Sequence, residues 1–137
     1  MIDTGIDPLH ADLKVNLWKD PKSKESQIYG WNFATEKSAG NANPSDEHGH
    51  GTHVAGIIGA VANPQAGVSG VARKVSIMPV KYYSDTHSGA VNLSNTIKAI
   101  NYAIDHGANI INYSGGGPEF SEKEYLALKR AESEGIL

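Results

Sequence analysis

Three histidines within six residues are the most distinctive chemical feature of this 137-residue sequence. The segment reads HGHGTH from His48 to His53, and it opens a run of small and aliphatic residues. Imidazole titrates near neutral pH, so it can serve as a general base or as a metal ligand. The alternatives for this segment are therefore a solvated loop, a metal site, a phosphate-binding loop and a catalytic base.

Two of these alternatives fit the spacing poorly. His50 and His53 are three residues apart and could share one helix face. However, Gly51 occupies the place of the acidic residue in the His-Glu-x-x-His metal pattern. The glycines do not fit the pattern Gly-x-Gly-x-x-Gly of a phosphate-binding loop, because Val54 stands where the third glycine belongs. A solvated loop and a catalytic base remain open on the residues alone.

Asp3 belongs to a second motif with chemical potential, the tripeptide DTG. In aspartic proteases two such carboxylates share one proton, whereas this sequence holds a single copy. An ordinary turn residue ahead of Gly5 is the plain alternative for Asp3. The nearby Asp7 is interpreted as a turn or capping residue without a chemical role.

Both motifs are expected at the ends of regular elements. Asp3 lies at the end of a strand-like segment, and His50 begins a buried helix predicted over 50–62, which is rich in Ala, Gly, Ile and Val. Apolar residues at spacings of three and four predict a second, amphipathic helix around 93–104. A capping box that starts at Ser121 predicts a third helix.

Strands are predicted between these helices. The apolar segments 28–33, 75–83 and 109–113 have the length and composition of buried strands. Residues 38–47 form a loop by composition. Strands that alternate with helices favour an α/β fold, in which a mostly parallel sheet lies between helices.

Composition excludes several classes of protein. Apolar residues make up 39% and charged residues 20%, as in ordinary globular domains. The net charge of −3 argues against a nucleic-acid partner, and the absence of cysteine excludes disulfides, zinc–thiolate sites and cysteine nucleophiles. The longest mostly apolar run, 54–62, is nine residues long, whereas about 20 are needed to cross a membrane. No signal peptide is visible, and no membrane partner is expected.

Several motifs together resemble the subtilisin-like serine proteases, the subtilase or peptidase S8 family. Residues 50–56, HGTHVAG, resemble the family's histidine motif, and residues 3–7, DTGID, resemble its aspartate motif. Residues 111–117, INYSGGG, resemble its substrate-binding strand. The resemblance implies a subtilisin-like three-layer α/β fold, incomplete in this chain. Residues 1–137 would form the N-terminal portion of one peptidase domain.

The resemblance implies roles for individual residues. His50 would be the general base, and Asp3 would orient it and stabilise its protonated form. Ser114, Gly115 and Gly116 would pair with a polypeptide substrate, which adds to the sheet as a β-strand. The family usually has a larger residue where Gly115 stands, so we expect a more open or more flexible pocket here.

Many subtilisin-like proteins hold calcium in the loop after the histidine helix. The resemblance therefore implies a structural Ca²⁺ ion, and no organic cofactor. The implied ligands are the side chains of Asp12 and Asn63 and the main-chain carbonyls of Val61 and Val68, all of them oxygen donors that suit a hard cation. A bare structural loop is the alternative, because this loop is one residue longer than the family's pattern and contains Pro64.

The nucleophile of the family does not occur in this sequence. The catalytic serine of subtilases lies in a Gly-Thr-Ser-x-Ala motif, and an asparagine on another segment forms the oxyanion hole; neither motif is found here. The first interpretation is the N-terminal part of a serine endopeptidase, inactive by itself. The alternatives are a non-catalytic, pseudoprotease-like binding domain and a self-associating fragment.

The expected partners follow from these interpretations. They are a polypeptide substrate, the missing C-terminal part of the same domain, and a second copy of the chain. Only Met1 and Ile2 precede Asp3, so we also expect the sequence to start inside a strand. Because the family is often secreted, the resemblance predicts an extracellular location.

Overall fold

The computed structural model describes residues 1–23, 28–62 and 67–137. These ranges contain three short strands, β1 (Ile2–Asp3), β2 (Trp31–Asn32) and β3 (Val80–Lys81), and a 3₁₀ turn at Lys14–Asn16. They also contain three α-helices, α1 (His50–Gly59), α2 (Gly89–Asp105) and α3 (Glu122–Ser133). Within the same ranges, every helix is too short or too polar to cross a membrane.

The strands form a parallel sheet in the order β1-β3-β2. On one side of β1, Ile2 lies opposite Val80 of β3. On the other side, Ile2 forms a parallel bridge with Tyr113, and its N–H donates a 2.9 Å hydrogen bond to the carbonyl of Asn112. β1 is therefore flanked by backbone on both sides at Ile2, and Asp3 at its end accepts a 3.0 Å hydrogen bond from the N–H of Tyr82.

Helices cover both faces of this sheet. α1 packs on one face over a core of buried apolar side chains, which are Ile6, Leu13, Ala55, Ala60 and Ile77. α2 and α3 pack on the other face over a second core, made of Ile2, Met78, Val80, Ala99, Ile100, Ile104, Ala127 and Ala131. Ile77 and Met78 belong to opposite cores because successive strand side chains alternate between faces. The three-layer α/β arrangement expected from the sequence is confirmed.

The element bounds differ from those that the sequence predicted. The first helix ends at Gly59, and Ala60 is already extended, with ψ of 134°. The predicted strands are paired over fewer residues: Trp31–Asn32 within 28–33, and Val80–Lys81 together with a bridge at Ile77 within 75–83. Within 109–113, Tyr113 bridges β1, and the backbone of Asn109 and Ile111 forms hydrogen bonds with Leu137. Apolar composition marks a segment as buried, but pairing also needs a neighbour, and β1 offers only two residues.

Candidate active site

Asp3 and His50 are 47 residues apart in the sequence, yet their side chains are in direct contact. The Nδ1 atom of His50 lies 2.7 Å from Oδ1 of Asp3. The side chain of Asp3 is 2% exposed at the end of β1, whereas that of His50, the first residue of α1, is 44% exposed. A buried carboxylate therefore holds one ring nitrogen, and the rest of the imidazole stays accessible.

The electrostatics of this pair favour the protonated form of the imidazole. The hydrogen bond with Asp3, reinforced by the charge of the carboxylate, raises the pKa of His50 above its ordinary value. Oδ1 of Asp3 also accepts a 2.7 Å hydrogen bond from the N–H of Thr4, while Oδ2 is buried and has no hydrogen-bond partner among the described residues. With Nδ1 turned to Asp3, Nε2 is the atom at which His50 can take up a proton.

A second carboxylate, Asp46, lies at the N-terminus of α1. It accepts hydrogen bonds from the hydroxyl of Thr4 at 2.9 Å and from the hydroxyl and N–H of Thr52 at 2.6 and 2.8 Å. The N–H groups of His48 and Gly49 also donate to it, at 3.1 and 2.9 Å. Gly49 at the N-cap has no side chain with which to cap the helix, so Asp46 supplies the acceptors that a helix start requires.

These hydrogen bonds join the Asp3 turn to the start of α1. Thr4 directly follows Asp3, and its hydroxyl accepts a 2.9 Å hydrogen bond from the N–H of Gly51, the residue after His50. Burial by itself would raise the pKa of Asp46, but the surrounding hydroxyl and N–H donors outweigh it and lower the pKa to about 2. From the sequence, Asp46 is assigned only to a loop. Its capping role could have been predicted from its position, because it is an aspartate shortly before a predicted helix.

Helix α1 approaches the Asp3 turn so closely that residue 51 must be glycine. A Cβ on Gly51 would lie 3.1 Å from Oδ1 of Asp3 and nearer still to the carbonyl oxygen of Gly5. Gly5 has φ of +122°, and a Cβ there would lie 2.6 Å from the carbonyl oxygens of Pro44 and Ser45. Gly5 and Gly51, one from each motif, are thus required by close packing of the backbone beside Asp3.

Lys81, which lies opposite Asp3 on β3, fixes the loop that contains Asp46. Its ammonium group donates to the carbonyl of Ser45 at 2.8 Å and forms an ion pair with Glu47. The Lys81 side chain is buried, whereas that of Glu47 is 72% exposed. Both neighbours of Asp46 in the chain therefore contact Lys81 on β3. No local sequence pattern predicts this contact.

A row of aromatic rings leads from His50 to Tyr113. His48 makes edge-to-face contacts with His50 and Tyr83, with ring centroids 6.3 and 6.2 Å apart. Tyr82 contacts Tyr83 and Tyr113 in the same way, at 6.0 and 5.5 Å. The row connects the accessible imidazole with the glycine-rich segment that follows Tyr113.

Ser114, Gly115 and Gly116, the residues expected to bind substrate, are exposed and follow the bridge between Tyr113 and β1. A Cβ on Gly115 would lie 2.8 Å from Cε2 of Tyr113, and the hydroxyl of Tyr82 lies closer still. The open space expected beside Gly115 is therefore not found, because Tyr82 fills it.

The residues expected to bind calcium are only in part brought together. Asp12 is buried, and its main-chain carbonyl accepts a 2.8 Å hydrogen bond from the N–H of Val61. Its Oδ1 lies 3.1 Å from the place of a Cβ on Gly67, so the carboxylate faces the second half of the loop. Val68 is exposed, and Asn63 lies outside the described residues. The carboxylate and carbonyl oxygens present suit a hard cation, although the described ranges hold no cluster of three His, Cys, Asp or Glu side chains.

Known proteins resemble this chain along most of its length. The major intracellular serine protease of Bacillus subtilis is 36% identical over 137 residues, which are 100% of this chain and 39% of that protein. The cell wall-associated protease of the same bacterium is 38% identical over 117 residues, or 85% of this chain and 12% of that protein. A solved protease structure from Pseudoalteromonas arctica superposes with a TM-score of 0.79 at 25% identity, covering 99% of this chain and 46% of its own.

The chain spans less than half the length of each of these proteins. The solved structure confirms a subtilisin-like fold, which the three-layer arrangement had indicated. The model of the Subtilase family, Peptidase_S8, matches residues 1–137, the whole of the sequence. This chain, with its paired aspartate and histidine, belongs to the subtilase family.

Proposed function

We propose that this chain is the N-terminal portion of a subtilisin-type serine endopeptidase domain and supplies Asp3 and His50 to its Asp-His-Ser triad. The observation that carries the proposal is the 2.7 Å contact between Asp3 Oδ1 and His50 Nδ1. The serine would come from the part of the domain outside this chain, since no serine here lies in the family's Gly-Thr-Ser-x-Ala motif. A pseudoprotease-like binding domain is the second candidate, and retention of both residues favours the first.

In the complete site, neutral His50 takes the proton of the serine hydroxyl at Nε2 while the serine oxygen attacks the carbonyl carbon of the peptide bond. Asp3 holds Nδ1–H and stabilises the imidazolium that forms. His50 then gives the proton to the leaving amine, and an acyl-enzyme remains. Water hydrolyses the acyl-enzyme with His50 again as the base. By itself the chain lacks the nucleophile, so we expect it to be inactive.

The proposed substrate is a polypeptide whose backbone pairs with residues 114–116. These three residues are exposed, and their backbone continues the segment that bridges β1 at Tyr113. An extended peptide that adds to such an edge gains affinity from main-chain hydrogen bonds. Replacement of Gly116 by proline removes one N–H donor, and we expect it to raise KM more than it lowers kcat.

We further propose a structural calcium ion between Asp12 and the loop 61–68. The orientation of the Asp12 carboxylate towards Gly67 supports this site, as does the hydrogen bond between Asp12 and Val61. Millimolar calcium is expected to raise the Tm of the wild-type chain and to leave that of Asp12→Asn unchanged. An equal Tm with calcium and with a chelator in the wild type would show that no such site exists.

An extracellular location is proposed because the family is often secreted. The names of two relatives point to different locations. One relative is named a cell wall-associated protease, and another is named an intracellular serine protease. Cell fractionation with an antibody against this chain separates the two locations.

Fluorophosphonate labelling followed by intact mass analysis tests the proposed activity, because this probe reacts with an activated serine. We expect label on the complete polypeptide or on a second chain that completes the domain, and loss of the label in His50→Ala. No label on a complete, folded domain would reject the protease and favour the pseudoprotease. Label on this chain alone would show that the nucleophile is among its own serines.

A further inference from the structure

The hydroxyl of Tyr82 occupies the volume that a side chain at residue 115 would need. A Cβ on Gly115 would be in close contact with this hydroxyl and 2.8 Å from Cε2 of Tyr113. Gly115 does not adopt the left-handed backbone conformation that favours glycine. Its small size, rather than its conformational freedom, is therefore what the surroundings require.

The position of Tyr82 is fixed from several sides. Its N–H donates a 3.0 Å hydrogen bond to the carbonyl of Asp3, and its own carbonyl accepts one of 3.3 Å from Asn95 Nδ2. Its ring lies between those of Tyr83 and Tyr113 and packs against the core beneath α2 and α3. Burial raises the pKa of Tyr82, so the hydroxyl keeps its proton throughout the neutral range.

We propose that the Tyr82 hydroxyl forms the cleft wall beside residue 115 and selects substrates with an uncharged hydrogen-bonding side chain at the position that meets it. The inference rests on the proposed pairing of a polypeptide with residues 114–116. A paired strand places every second side chain on the same face. A substrate side chain that points towards residue 115 would therefore meet the hydroxyl of Tyr82, because Gly115 has no side chain.

The chemistry of the hydroxyl indicates the class of substrate side chain. A phenol offers one donor and two acceptor positions, so its contact with Tyr113 leaves capacity for a ligand. Side chains of Asn, Gln, Ser and Thr can donate to its free acceptor positions. An aliphatic side chain of similar size would leave the hydroxyl without a hydrogen-bond partner. The resulting loss of binding free energy allows a polar site to discriminate against apolar substrates.

The test uses the complete protease that contains this chain, and peptides that differ only in Asn or Leu at each position on the acyl side of the scissile bond. At one position we expect wild type to prefer Asn by about fivefold to tenfold in kcat/KM, and Tyr82→Phe to lose that preference. Tyr125→Phe removes the same atom from an exposed ring on α3 and should change neither rate nor preference. Tyr82→Leu opens the space and should favour Leu.

Binding of the same peptides, measured by calorimetry, separates this inference from the proposed activity. If the complete protein hydrolyses no peptide but still binds the Asn peptide more tightly through Tyr82, only the protease assignment fails. If wild type and Tyr82→Phe show the same preference at every position, in hydrolysis or in binding, the role of Tyr82 is overturned.

Discussion

At the scale of single residues, the site depends on the contrast between a buried carboxylate and an accessible imidazole. Because Asp3 raises the pKa of His50 above 6.5, the neutral form that can act as a base predominates only at higher pH. For the complete protease, kcat/KM should therefore fall as the pH drops through this raised pKa. A kcat/KM that stays constant as the pH falls well below 6.5 would contradict the assignment of His50 as the base.

Replacement of Asp3 by asparagine should lower the pKa of His50 towards 6.5, because the hydrogen bond to a charged acceptor is lost. The raised pKa of His50 adds to the stability of the fold. This contribution is complete below pH 6.5 and is lost as the pH rises through the raised pKa. Asp3→Asn should remove this pH dependence of stability. NMR titration of the imidazole in this chain measures the pKa directly. Asp7→Asn is the control, because the carboxylate of Asp7 is exposed and accepts from Leu9.

Replacement of Asp46 by alanine should destabilise the fold. It should also alter the position of His50, although Asp46 makes no direct contact with the His50 side chain. The pKa of Asp46 is lowered from 3.8 to about 2. Because the side chain is only partly buried, solvent screening reduces the corresponding stability to about 1 kcal/mol above pH 4, and it is lost as the pH falls through 2. Urea unfolding at pH 7 should show a loss of this size for Asp46→Ala and almost none for Asp85→Ala, at an exposed loop residue. Equal stabilities of the two variants would contradict the capping role.

At the scale of elements, the contact between α1 and the turn after β1 decides the geometry of the Asp3–His50 pair. Gly51→Ala places a Cβ against Oδ1 of Asp3 and the carbonyl of Gly5, so we expect a loss of about 1–3 kcal/mol in the free energy of unfolding. The pKa of His50 should fall with it as the hydrogen bond lengthens.

Gly56→Ala is the matched control on the same helix. A Cβ there meets nothing within 4 Å, and alanine favours a helix over glycine by about 1 kcal/mol. We expect this variant to be as stable as wild type or more stable in thermal unfolding. If both alanine variants were equally tolerated, the close approach of α1 to Asp3 would be refuted.

The elements differ in how well the sequence predicts them, because some depend on residues that are close in the sequence and others on contacts between distant segments. Apolar periodicity predicts α2 and the capping box at Ser121 predicts α3, since both signals lie within a few neighbouring residues. The motifs around Asp3 and His50 predict the two residues that meet. The hydrogen bonds of Asp46, the contact of Lys81 with its loop and the position of Tyr82 depend on which strands lie side by side. The register of Asp3 opposite Lys81 cannot be inferred from either segment alone.

At the scale of the whole molecule, apolar side chains remain exposed on the outer side of α1 and in the loops beside it. They are Leu9, Ile57, Val68 and Val71, which are 56–89% exposed. Exposed apolar groups that lie close together promote association, so we expect the isolated chain to form oligomers at high concentration. Sedimentation velocity should show smaller species after Ile57→Ser with Val71→Ser. A wild-type chain that stays monomeric at every concentration would contradict this expectation.

The central place of β1 in the sheet has a consequence for the synthesis of the protein. Ile2 pairs with Val80 and bridges Tyr113, so both neighbours of β1 leave the ribosome long after it. At roughly 5–20 residues per second, the strand waits at least several seconds before it can pair. During that time Asp3 has no fixed position from which to hold His50, and the nascent chain carries no assembled Asp3–His50 pair.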